Sequence, residues 1–264
     1  MKIAIVQSNI RYEEKAYNLK AAKEFTCLAS EEDADLILFP EMSFTGFSMD
    51  FLKTGETDSY TIKKMQHRAR AYNIAIGFGY VRLFDGKGEN HYCIVDRDGN
   101  IISDYVKIHS FTIGGECKDF RSGNVLPPAA EVCGFNLRTF ICYDLRFPEI
   151  FRTSADDTDI FIVAANWPKA RREQWISLLK ARAIENQSYV IGINCTGNQL
   201  DLNYTGDSMA ADPLGNIIAS TELYKEGLIF CNISEKADTF RKSFPVMPSR
   251  KNKLYTEIYS RLTE

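Results

Sequence analysis

Ile160-Phe161-Ile162-Val163 decides how this chain folds, because four consecutive apolar residues leave no side of the backbone to water. A strand with one solvated face alternates apolar and polar residues, so a continuous run marks a strand covered on both faces. Ile3-Ala4-Ile5-Val6 has the same character. Working outward, strands are expected at 3–7, 36–39, 74–80, 91–95, 140–142, 160–165 and 189–195. Helical patterns occupy 18–31, 58–72 and 171–187. In the last, Trp175, Leu178, Leu179 and Ala183 recur at the spacing that lays one helical stripe on a sheet. Asp85-Gly86-Lys87-Gly88 and Asp98-Gly99-Asn100 read as turns between strands. Asp212-Pro213-Leu214-Gly215-Asn216 joins a strand near 207–211 to another at 217–220. Parallel units mixed with hairpins predict one α/β domain over residues 1–264, ending in a tail at 244–264, and do not demand a doubly wound sheet.

Composition narrows the function. The chain is 45% hydrophobic, 25% charged and 12% aromatic, enough to bury a substantial core without staples. Thirty-two basic residues face 35 acidic ones, for a net charge of −3. A nucleic-acid binder needs a basic stripe to displace counterions, and none is present. An electrostatic membrane anchor is excluded on the same ground. No apolar stretch approaches the roughly 20 residues of a spanning helix, and the N-terminus has neither the h-region nor the cleavage site of a signal peptide. Seven cysteines are scattered without C-x-x-C spacing, which points to reduced thiols in a cytoplasmic protein and not to zinc or a disulfide framework.

Three polar residues stand where apolar runs stop: Glu41 after Phe39-Pro40, Lys107 after Tyr105-Val106, and Cys142 after Phe140-Ile141. A carboxylate can take a thiol proton, a thiolate can attack, and an ammonium can steady an oxyanion. Each has a plain alternative. Glutamate and lysine at loop edges are ordinarily solvated, and cysteine among apolar neighbours is ordinarily a small buried hydrophobe. The context of Cys142 favours chemistry, since Tyr143-Asp144-Leu145-Arg146 and Phe147-Pro148-Glu149 read as a sharp turn into a helix. A thiol there sits near N–H groups that favour the thiolate. The other six cysteines lack that context and are expected in the core.

In these segments the chain resembles the nitrilase superfamily of carbon–nitrogen hydrolases. The matching pieces are Leu38-Phe39-Pro40-Glu41, Tyr105-Val106-Lys107-Ile108-His109 and Ile141-Cys142-Tyr143-Asp144-Leu145-Arg146-Phe147-Pro148, in the family's order. Ala165-Asn166-Trp167-Pro168, Gly206-Asp207-Ser208 and Ala181-Arg182-Ala183-Ile184-Glu185-Asn186-Gln187 add support, and the first and last of these are most similar to the omega-amidase branch. The resemblance implies a four-layer αββα sandwich, a Glu41-Lys107-Cys142 triad, dimers, and no metal or cofactor. It also implies cleavage of the terminal amide of small 2-oxo acids such as 2-oxoglutaramate. A second glutamate between lysine and cysteine is common in the family, and Glu116 in Gly114-Gly115-Glu116 is its match.

The implied mechanism runs through a thioester. Glu41 accepts the Cys142 proton, the sulfur attacks the amide carbonyl, and Lys107 with the Tyr143 backbone N–H holds the oxyanion. Glu116 orients Lys107 or the substrate. Arg146, four residues after the cysteine, is a candidate for the substrate carboxylate, with pairing to Glu149 as its alternative. Trp167, Phe44 and Phe111 are candidate apolar walls. The segment 248–264 is expected to reach across a partner. Rival readings are an amidase for deaminated glutathione or another small aliphatic amide, and a binding protein that kept the fold. A papain-like hydrolase is disfavoured because His67, His91 and His109 all precede the cysteine.

Overall fold

The computed structural model describes residues 1–262. Two β-sheets lie face to face. The first has the order Gly227–Asn232, Lys2–Gln7, Leu36–Leu38, Ala75–Phe84, Lys87–Val95, Ile101–Val106, with Phe120–Arg121 added beside Lys87–Val95. The second has the order Ile217–Ser220, Met209–Ala211, Tyr189–Asn194, Ile160–Ala165, Phe135–Ile141, Ala130–Val132. The centre of the second sheet is parallel, with Ile160 paired to Leu137 on one side and to Tyr189 on the other.

The continuous apolar runs have the expected cause. Along Lys2–Gln7, Ile3 and Ile5 enter a core shared with the second sheet, while Ala4 and Val6 enter a separate core beneath helices. Alternate residues thus point to two dry faces, so every position is apolar. Helices Lys15–Glu31 and Tyr60–Tyr72 cover the first sheet through Leu19, Ala22, Ile62, Met65 and Ala69. Helix Arg172–Asn186 covers the second through Trp175, Leu179 and Ala183, and Phe151 of Pro148–Arg152 joins it. The result is a single-domain α/β protein with four layers, α on β on β on α. Burying one large aliphatic or aromatic side chain in such a core contributes roughly 1.5–3 kcal/mol.

Some boundaries moved. Ala75–Phe84 and Lys87–Val95 run well past the expected ends as a long hairpin turned by Asp85 and Gly86, both at positive φ. The strand expected at 140–142 is Phe135–Ile141, and Cys142 belongs to the turn after it. Gly227–Asn232 went unread, although it closes the first sheet against Lys2–Gln7. The hairpin Thr196–Gln199 and Leu202–Thr205 also went unread, since its short, mixed sequence has no periodic signal. The expected tail contains helix Asn252–Leu262, none of whose residues is buried. The last two residues of the segment 248–264 lie outside the described residues. Among the described residues no helix is long and apolar enough to cross a membrane.

Candidate active site

Glu41, Lys107 and Cys142 come from three separate strand ends and meet where the two sheets abut. Glu41 follows Leu36–Leu38 through a loop pressed on the neighbouring strand at Gly79. Ser43 ties that loop down, its N–H donating to Gly79 O at 3.1 Å and its Oγ accepting from Gly79 N at 2.8 Å. A Cβ on Gly79 would come within 2.3 Å of Met42 N, so the close approach requires glycine. Lys107 follows Ile101–Val106, with its N–H donating to Asn90 O at 2.9 Å. Cys142 follows Phe135–Ile141 at φ 47°, a left-handed conformation rare for any residue with a Cβ.

Asp144, fully buried, holds that strained turn. It accepts from Ile141 N at 3.0 Å, Tyr105 Oη at 2.8 Å and His109 N at 3.0 Å. His109 Nδ1 lies 2.8 Å from the same carboxylate, and its ring stacks on Phe147 at 3.7 Å. One side chain therefore fastens the turn of Cys142 to the segment bearing Lys107.

Behind the sulfur is a sealed ionic cluster. Lys107 Nζ donates to Glu41 Oε1 at 2.9 Å and to Glu116 Oε2 at 2.9 Å, and all three side chains are at most 1% exposed. Asn90 Nδ2 donates to Glu41 at 2.8 Å and to Glu116 at 3.0 Å, while Phe111 N donates to Glu116 at 2.6 Å. Asn166 grips Glu41 twice, from its backbone N–H at 2.9 Å and from Nδ2 to the Glu41 carbonyl at 2.8 Å. Buried charges persist only with such partners. The two carboxylates hold the Lys107 ammonium well above its ordinary pKa against the opposing effect of burial. The Cys142 thiol is pushed well above its ordinary value, first by burial and then by Glu41, with Lys107 pulling the other way. Burial and the neighbouring carboxylate thus favour the neutral thiol over the thiolate. The Cys142 Sγ points a long donor contact of 4.0 Å at the Asn166 carbonyl.

Cys142 opens onto a small cavity lined by Tyr143, Trp167, Phe111, Phe47, Arg146 and Arg171, among others. Of the expected walls, Trp167 and Phe111 stand there. Phe44 does not: it is 2% exposed and its ring packs against Phe39 and Phe78, under the helices of the first sheet. Phe47, three residues on, lines the cavity instead and lies over the Lys107 ammonium at 5.4 Å. Arg146 is not paired with Glu149. Its Nη2 donates to Gln174 at 2.6 Å and its guanidinium lies 4.8 Å from the Trp167 ring. Glu149 accepts instead from Tyr259.

Asn90, Phe47, Arg171, Leu202 and Tyr204 were missed. Asn90 did leave a trace, because Glu89-Asn90-His91 interrupts an otherwise apolar strand with buried polar residues. The expectation that the other cysteines are core residues holds for Cys93, Cys195 and Cys231 only. Cys117 and Cys133 are exposed and Cys27 is half-buried, since each sits on a loop or an outer helix face.

Comparison with known proteins agrees with this geometry. Residues 2–242 match the family model for carbon–nitrogen hydrolases. The chain is 31% identical to the 2-oxoglutaramate amidase of Bacillus subtilis (strain 168), over 96% of this chain and 98% of that protein. It is 33% identical to omega-amidase YafV of Yersinia enterocolitica, over 93% and 94%. A solved structure from Xanthomonas campestris, a member of the same superfamily with an arsenic adduct in its active site, superposes with a TM-score of 0.89. That likeness has 28% identity and covers 95% of this chain and 97% of that one. The chain belongs to the carbon–nitrogen hydrolase family.

Proposed function

We propose that this protein is a thiol-dependent amidase that hydrolyses the terminal amide of a small 2-oxo acid, of the 2-oxoglutaramate kind, to the acid and ammonia. The observation that carries the reading is the Glu41–Lys107 pair, sealed at 2.9 Å beneath a cavity with Cys142 on its floor and guanidinium groups along its walls. Glu41 takes the thiol proton as sulfur attacks the amide carbon, since the neutral thiol is a poor nucleophile. The oxyanion is received by Lys107 and by the N–H of Tyr143, which lies in the first turn of Cys142–Arg146, where N–H groups have no partner within the helix. One such donor contributes roughly 2.7–4 kcal/mol to acyl transfer. Glu41 returns its proton to the departing ammonia, leaving a thioester on Cys142. A water deprotonated by Glu41 then cleaves the thioester and frees the thiol. Glu116 shares Lys107 and keeps its ammonium in place.

The likeness to a 2-oxoglutaramate amidase and an omega-amidase supports the choice of substrate. The test measures ammonia release from 2-oxoglutaramate, a deaminated-glutathione mimic, glutamine and a nitrile. Fastest turnover is expected on 2-oxoglutaramate, little on the nitrile, and none in Cys142→Ala. Preference for glutamine, or wild-type turnover by Cys142→Ala, sinks the reading.

A further inference from the structure

Two guanidinium groups line the cavity above Cys142, and no carboxylate lines it with them. A cation facing a largely apolar cavity with no acidic neighbour is unusual, because removing it from water is costly unless something negative arrives. The two arginines are not equivalent. Arg146 is committed to the wall, held by Gln174 and laid on Trp167. Arg171 is fixed only at its backbone: its carbonyl accepts from Trp167 Nε1 at 2.8 Å, and its N–H donates to Pro168 O at 3.0 Å. Its guanidinium rests 5.2 Å from the Phe111 ring and, among the described residues, has no acidic partner. The aromatic face supports the planar cation while leaving its edge of N–H donors unused.

We infer that Arg171 is the specificity-determining residue of the site, gripping the carboxylate at the far end of an omega-amide substrate. The inference rests on the amidase reading and goes beyond it, by assigning the choice between charged and neutral amides to one side chain. An acid with a terminal amide places its reacting carbonyl at Cys142 and its anionic end toward the cavity mouth. There a planar fork can meet the carboxylate with two parallel bonds, which lysine cannot do.

The experiment compares succinamate with levulinamide, which has the same length but carries a methyl ketone in place of the carboxylate. The wild-type protein is expected to prefer succinamate. In Arg171→Met, the KM for succinamate rises about 10- to 100-fold, the worth of one charge-assisted pair. The kcat for succinamate changes far less, and the preference ratio falls toward one. Arg171→Lys recovers part of the ratio, whereas Arg146→Met lowers turnover of both amides and leaves the ratio near wild type. An equal loss on both amides in Arg171→Met, or no loss on either, overturns the assignment. So does a wild-type protein indifferent to the two, and in each of these cases the amidase reading stands. Folded wild-type protein that releases ammonia from neither amide overturns this inference, and the amidase reading falls with it only if 2-oxoglutaramate is also left intact.

Discussion

In the proposed mechanism Cys142 is a nucleophile kept inactive until Glu41 takes its proton. Burial and the Glu41 carboxylate hold the thiol protonated, and Lys107 offsets only part of that. A raised pKa means less thiolate at any given pH. Alkylation of Cys142 by iodoacetamide, followed by peptide mass spectrometry, is therefore expected to rise only at more alkaline pH than an ordinary thiol. In Glu41→Gln the nearby negative charge is gone, so the curve should move down by about one to three pH units. A curve that stays put, or moves up, refutes this account of the thiol. The same raised pKa makes stability depend on pH. The folded state keeps a proton that the unfolded chain releases, so the contribution is complete below the ordinary thiol pKa and is lost as pH climbs toward the folded value. Glu41, Lys107 and Cys142 stood out as candidates because each side chain breaks an apolar run, and the roles proposed for them came from the family resemblance. Asn90 and Asp144 were not assigned roles, since a hydrogen-bonded asparagine and a carboxylate in a turn carry no periodic signature.

Strand ends position the site, and the contact between neighbouring elements sets its tolerance. The loop carrying Glu41 lies against Gly79 so closely that one added methyl group must displace it. Gly79→Ala is expected to lower stability by about 1–3 kcal/mol, as overpacking does. It should also reduce kcat by roughly 100-fold, because an ångström of misplacement at a reacting group costs that much. Denaturant unfolding combined with ammonia release checks both, and an alanine variant of normal activity would show that the loop can yield. At this scale the long buried strands and three of the helices were readable from apolar period, to within a few residues at their ends. The hairpin Thr196–Gln199 and Leu202–Thr205 was not, although its Leu202 and Tyr204 line the cavity. Its pairing is fixed by what it packs against and not by its own sequence.

Across the whole molecule, the central strands of both sheets are dry on both faces, but the last helix is not. Asn252–Leu262 leaves Leu254, Tyr255, Ile258 and Tyr259 at 40–53% exposure, an apolar stripe at helical spacing that stays open to solvent although Tyr259 donates to Glu149. We propose that a second copy covers it in a homodimer, and that the enzyme works in the cytoplasm with its seven free cysteines reduced. Sedimentation equilibrium should give twice the chain mass, and Leu254→Glu with Ile258→Glu should give a single chain; a monomeric wild type would exclude the dimer. The sequence by itself determined the α/β class and the strands covered on both faces, because apolar period is a local property that survives in one dimension. It also marked Glu41, Lys107 and Cys142 as candidates, because each interrupts such a run and the motifs around them resemble one family. Only the tertiary structure decided that Glu116 shares the Lys107 ammonium, that Phe47 and not Phe44 lines the cavity, and that Arg171 has no counter-charge among the described residues. Those facts depend on distances between residues far apart along the chain, which no local pattern encodes.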